Sequence, residues 1–182
     1  MPRASQPFTP SQDIEARRRW AGPVVAGVLT EELAEFCQGG VSVVIAARTA
    51  DGLPIAGTAK ACRIAPEGRM RLFLAEPANR ALLSAFAQGS PIAATFSAPR
   101  NHRSIQVKSF AVRQDDLEDG ELAEIARQVK AFASELVFVN YTPRFATAFT
   151  AYREEDIVAI EFLPDDAFVQ TPGPGAGEQL AP

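Results

Sequence analysis

Between Val41 and Ala75 the sequence reads as three consecutive strands with no helix between them, and this excludes a whole class of sheets. The segment VSVVIAAR (41–48) is β-branched and apolar, TADGLP carries a turn signal at Asp51-Gly52, and IAGTAKACRI (55–64) continues as a second strand. APEG makes the next turn, and RMRLFLA (69–75) alternates as a third strand. Parallel neighbours need a crossover of a dozen or more residues, usually a helix. These strands are too close for that, so a doubly wound parallel sheet is excluded and an antiparallel one is expected.

The rest of the chain adds helices at separated places. TEELAEFCQGG reads as a short helix with Thr30 as N-cap, Glu31 and Glu32 in its first turn and Gly39-Gly40 as its stop. ANRALLSAFAQ places Leu82, Leu83, Ala85 and Phe86 on one helical face. PIAATFS (91–97) and RSIQVKSFAVR (103–113) are the fourth and fifth strands. From Asp119, Leu122, Ile125, Val129, Phe132 and Leu136 recur at helical spacing over about five turns of the 3.6-residue period. Thr142-Pro143 starts another short helix, with Phe145 and Phe149 on one face, and DIVAIEFL (156–163) is the sixth strand. The expected class is mainly β (α+β): a small six-stranded antiparallel barrel with short helices packed on it.

Proline-rich residues 1–25 read as an extended arm, 26–171 as the folded domain, and 172–182, TPGPGAGEQLAP in its context, as a Pro/Gly-rich tail. With 182 residues and 47% hydrophobic content, one substantial core is expected. The net charge of −4 gives no general attraction for nucleic acid, and no apolar run is long enough to cross a bilayer. A soluble, cytoplasmic protein follows as the expectation, with Cys37 and Cys62 as reduced core thiols. One histidine and no clustered cysteines leave an ordinary zinc site without ligands.

No GxSxG, GxxxxGK[ST] or GxGxxG in the required context is present, so no nucleophile or phosphate loop is marked. Glu154-Glu155 and Asp165-Asp166 read as solvated pairs. What remains is polar character projected from strands. The two-residue period places Ser104, Gln106 and Lys108 on one face and Arg103, Ile105, Val107 and Ser109 on the other. Thr58, Lys60 and Cys62 share a face of the second strand, and Asn79 and Arg80 stand at a helix start, where free N–H groups favour an anion. His102, the sole histidine, stands just ahead of the fifth strand. It is open to four readings: a base, a metal ligand, against which the lack of other ligands counts, the edge of an anion site, or a residue that only ends a strand.

The order of these segments, through ADGLP, RLFLAEPANRALLSAFAQGSPIAATF and HRSIQVKSFAV, resembles the FMN-binding split barrel of the pyridoxamine 5'-phosphate oxidase family over roughly residues 40–171. The resemblance implies a split barrel and FMN as cofactor. It brings Asn79 and Arg80 near the phosphate-binding segment, Ser104 to the place of a flavin-contacting glutamine, and Lys60 or Arg63 to the phosphate as strand-borne charge. His102 becomes an edge residue of the flavin site. The cofactor-binding candidates are thus Thr58, Lys60, Arg63, Asn79, Arg80, His102, Arg103, Ser104 and Gln106. The family's oxidases hold their substrate with Arg and His near the C-terminus, and this sequence has neither after Arg153. A flavin-dependent oxidoreductase on another small substrate is the expectation. The alternative is a non-catalytic protein that binds or senses flavin, heme or deazaflavin. A homodimer with the site between subunits is expected, from the resemblance and from the unpaired edges of an open barrel.

Overall fold

The computed structural model describes residues 24–26 and 28–180. The expected N-terminal arm, apart from its last two residues, lies outside the described residues. In chain order the elements are β1 (Val24–Ala26), β2 (Leu29–Thr30), α1 (Glu31–Cys37), β3 (Ser42–Arg48), β4 (Pro54–Ala59), β5 (Ala61–Ile64) and β6 (Met70–Ala75). They continue as α2 (Glu76–Ala87), β7 (Ile92–Ser97), β8 (Ser104–Ser109), β9 (Arg113–Asp115), α3 (Glu121–Phe138), α4 (Pro143–Thr150), β10 (Ile157–Phe162) and β11 (Asp166–Val169). A five-stranded sheet runs β11-β8-β7-β3-β4 and a four-stranded sheet runs β5-β6-β10-β9, with β1 and β2 as a separate ribbon. Each strand pair in the two large sheets is antiparallel. Among the described residues no closed barrel forms.

The expected count of six strands is corrected here, because two of them turn a corner. The segment 55–64 breaks at Lys60: β4 pairs with β3 in one sheet, and β5 pairs with β6 in the other. The strand expected over 103–113 breaks after Ser109 in the same way, so β8 and β9 lie in different sheets. Two sheets wrapped around one core must exchange strands at bends, and a bend interrupts the two-residue alternation. The face expected to hold Thr58, Lys60 and Cys62 together is therefore lost: Thr58 is exposed, and Cys62 is buried. The structure also adds β11, which DDAF did not reveal for want of alternation.

Leu33, Ile45, Leu72, Leu82, Phe96, Ile105 and Ile160 fill the space between the sheets, with α1 and α2 closing it. Helix α3 covers the far side of the four-stranded sheet through Ile125 on Phe73 and Ala159. That sheet is thus buried on both faces, as the unbroken burial of β6 up to Leu74 shows. Two unforeseen side chains seat α3. Arg71, 4% exposed, donates from Nε to Glu121 Oε1 at 2.8 Å and from Nη1 to Glu161 Oε2 at 3.1 Å. Gln128 bonds the backbone of Cys62 in both directions, accepting from its N–H at 3.1 Å and donating to its carbonyl at 2.6 Å, while Gln38 accepts from Ile64 N at 3.0 Å. These amides satisfy the outer edge of β5 as a neighbouring strand would. Leu122, expected on the packed face, is 37% exposed, and Glu121 is buried instead.

The segment after Thr171 folds back on the sheet. Gly177 N donates to Val169 O at 2.7 Å, Val169 N to Glu178 O at 2.9 Å, and Leu180 N to Ala167 O at 2.7 Å. These bonds cover the edge of β11.

Candidate ligand-binding site

The outer face of the five-stranded sheet carries small and polar side chains, because its strands alternate. On β3, Val43 and Ile45 are buried while Val44 is 44% exposed. The register aligns Ser42 with Ser97 and Ser104 in one row, and Thr58, Val44, Thr95, Gln106 and Phe168 in the next. Gln106 Nε2 donates to Thr95 Oγ1 at 3.0 Å, and Ser104 Oγ donates to Ser97 Oγ at 2.8 Å. The polar face expected on β8 is therefore formed, and Ile105 and Val107 point into the core.

Where the serine row meets α3 and α4, the surface sinks into a cavity of about 600 Å³. Its sheet side is Ser42, Ser97, His102, Ser104 and Gln170, and its helix side is Phe132, Phe138, Tyr141 and Phe149. A second cavity of about 170 Å³ adjoins it, sharing Ser42, Phe132 and Phe149 and adding Thr58, Lys60 and Thr150. Lys60 sits at the corner between the sheets, so its side chain reaches the C-terminal end of α4. Nζ donates to Ala151 O at 2.9 Å and to Thr150 O at 3.5 Å. Burial pulls its ammonium below the ordinary lysine pKa. These carbonyls engage two of the three donors of the ammonium.

The structure thus brings together Thr58, Lys60, His102 and Ser104, with Gln106 on the sheet row beside them. The other candidates lie elsewhere. Arg63 Nη1 pairs with Glu118 at 2.7 Å and Glu121 at 3.2 Å. Arg103 turns under α1, pairing with Glu32 at 2.7 Å over the Phe36 ring. Asn79 is buried, donating to Thr58 O at 3.2 Å and Ala75 O at 2.9 Å, so it fastens α2 to β4. Arg80 is exposed and lines neither cavity. His102 has a positive φ of 57° in a tight turn closed by Ala98 and Arg103, which aims an exposed ring at the cavity mouth.

Phe145 and Phe149 are expected on one face of the short helix and Phe132 on the apolar face of the long one, but nothing in the sequence places these faces at a cavity. Tyr141, just ahead of α4, and Phe145 and Phe149 within it recur every four residues, a spacing that marks one face but leaves open whether that face is covered. Gln170 opens a polar segment without periodicity, so its position beside Ser97 and Ser104 does not follow from the sequence.

No protein-family model and no curated protein matches this chain. Solved structures do. One aligns over 97% of this chain and 96% of its own with a TM-score of 0.54 at 13% identity. The chain shares that structure's fold. Similar structures include the Group A Streptococcus protein HupZ (13% identity, 82% of this chain and 99% of the other, TM-score 0.49). A candidate pyridoxamine 5'-phosphate oxidase from Lactobacillus delbrueckii (14%, 78% and 93%, TM-score 0.48) and an F420 reductase (14%, 76% and 98%, TM-score 0.48) are also similar. At these identities the likeness says nothing of what this chain binds. No helix among the described residues is long and apolar enough to cross a membrane, and none of them cluster as a His/Cys/Asp/Glu metal site.

Proposed function

We propose that the chain binds FMN along the two adjoining cavities and acts as a flavin-dependent oxidoreductase on a small organic substrate other than pyridoxamine 5'-phosphate. The observation that carries this reading is that the two cavities share Ser42, Phe132 and Phe149 in their linings, with Lys60 lining the smaller one and the Ser97-Ser104 pair the larger. A ligand with an anionic tail and a flat polar head fits that polarity. Lys60 and Thr58 would hold the phosphate, and Ser104 and Ser97 would hydrogen-bond the ring edge. Bound FMN supplies the electron chemistry, and the protein supplies orientation and electrostatics. The missing Arg and His after Arg153 argue against the family's vitamin substrate.

The site is completed, on this reading, by a second copy of the chain. The exposed sheet face around Val44, Ala46 and Ala56 is built of small side chains, which suits close approach of an identical face across a twofold axis. Two buried free thiols, Cys37 and Cys62, fit a reducing cytoplasmic setting.

One observation favours heme as a second reading: the sole histidine lines the larger cavity, where its imidazole could ligate iron. The absorbance spectrum of the purified protein separates the two. A flavin spectrum supports the first reading; a Soret band that disappears in His102→Ala supports the second and overturns the first.

A further inference from the structure

Helix α4 buries only Ala146 and Thr150 and turns its aromatic side chains outward. Tyr141 and Phe145 stack at 4.8 Å with an interplanar angle of 19°, and Phe145 and Phe149 stack at 5.6 Å and 18°. Phe149 meets Phe132 at 6.3 Å. Tyr141 and Phe149 remain 49% and 56% exposed, although a short helix gains most by burying such rings. Both line the larger cavity, and so does Phe138, whose ring lies 3.9 Å from the Arg100 guanidinium. Arg100 is already held by Glu135 at 2.6 Å, so the wall offers stacking surface without an unpaired charge. Facing it across the cavity, the side chains of Ser42, His102 and Gln170 make no hydrogen bond among the described residues.

From these observations we propose a second subsite in the same cavity: the wall of Tyr141, Phe149, Phe132 and Phe138 takes an uncharged planar aromatic substrate whose carbonyl or hydroxyl edge bonds the polar side. The assignment rests on reading this cavity as the ligand site, with the flavin on the serine row and the substrate on the aromatic wall. A cavity of about 600 Å³ lies within the range of small-molecule sites. Stacking on aromatic faces tolerates many ring systems, and the polar edge selects those with oxygen substituents.

The test is equilibrium binding of menadione, an uncharged planar dione, to the full chain with and without saturating FMN. Saturable binding in both states is expected. The double variant Tyr141→Leu/Phe149→Leu should weaken it by about tenfold, the loss expected of two aromatic contacts. Tyr141→Phe, which keeps the ring, should bind as the parent does, and thermal unfolding checks each variant. Should the double variant fail to fold, Tyr141→Leu alone, at an exposed position, serves the same comparison. No saturable binding, or binding indifferent to loss of the rings, overturns the subsite. Mutual exclusion of menadione and FMN also overturns it, since the wall would then be the flavin's own surface. Ring-dependent menadione binding by a protein that ignores FMN would instead sink the flavin reading and leave the subsite standing.

Discussion

Asn79 and Gly57 occupy one another's space: a Cβ at residue 57 would meet the Asn79 carboxamide oxygen and lie 2.5 Å from Leu82 Cδ1. Leu82 is fully buried, and the Asn79 amide is tied to Thr58 O and Ala75 O, so neither can give way easily. The contact sets the distance between α2 and β4. Gly57→Ala should therefore destabilise the fold by about 1–3 kcal/mol, the usual cost of overpacking. Urea unfolding with an unchanged m-value and a lower midpoint is the expected outcome.

Arg71 is the second tie, and its replacement should cost more. In Arg71→Met the carboxylates of Glu121 and Glu161, 1% and 6% exposed, lose their buried partner, for about 3–5 kcal/mol. The same cluster sets an acid limit. Burial works against the Glu161 carboxylate, yet Arg113 and Arg71 hold it below the ordinary glutamate range. Its folded pKa is depressed, so its contribution is complete above the unfolded value of about 4.3 and is lost as pH falls from there through the folded value. Unfolding free energy measured against pH should fall below about 4.3 in the parent, with a smaller slope in Glu161→Gln.

Much of the fold was legible because local signals agreed with it. Thr30 caps α1 by accepting from Leu33 N, and Thr142 caps α4 by accepting from Phe145 N, as their sequences suggest. The corners at Lys60 and after Ser109 were not legible, since β-branched and polar residues continue through both and only the second sheet decides which partner each half takes. The site was half legible for the same reason. Ser104 and Gln106 follow from alternation along one strand, whereas Asn79, Arg63 and Arg103 are polar residues whose partners, Thr58, Glu118 and Glu32, lie far away in sequence. A polar side chain looks alike in sequence whether it awaits a ligand or a partner within the protein.

Lys60→Met tests the orientation of the ligand. Loss of one hydrogen bond to a charged group should weaken FMN by about 1.5–3 kcal/mol. Riboflavin, which lacks the phosphate, should bind parent and variant alike. Equal losses for both would place the phosphate away from the smaller cavity.

A dimer across the outer sheet face links assembly to cofactor. Sedimentation over a concentration series should show a dimer that FMN stabilises against dilution. Val44→Lys, placing charge on that face, should shift the equilibrium to monomer and release FMN with it. Monomers that keep FMN would confine the site to one chain.

Titration of flavin-free protein with FMN shows whether the two adjoining cavities hold a flavin. FMN fluorescence should change saturably, with one FMN bound per chain and a weaker affinity in Lys60→Met. Fluorescence that stays at the value of free FMN throughout the titration would contradict the account.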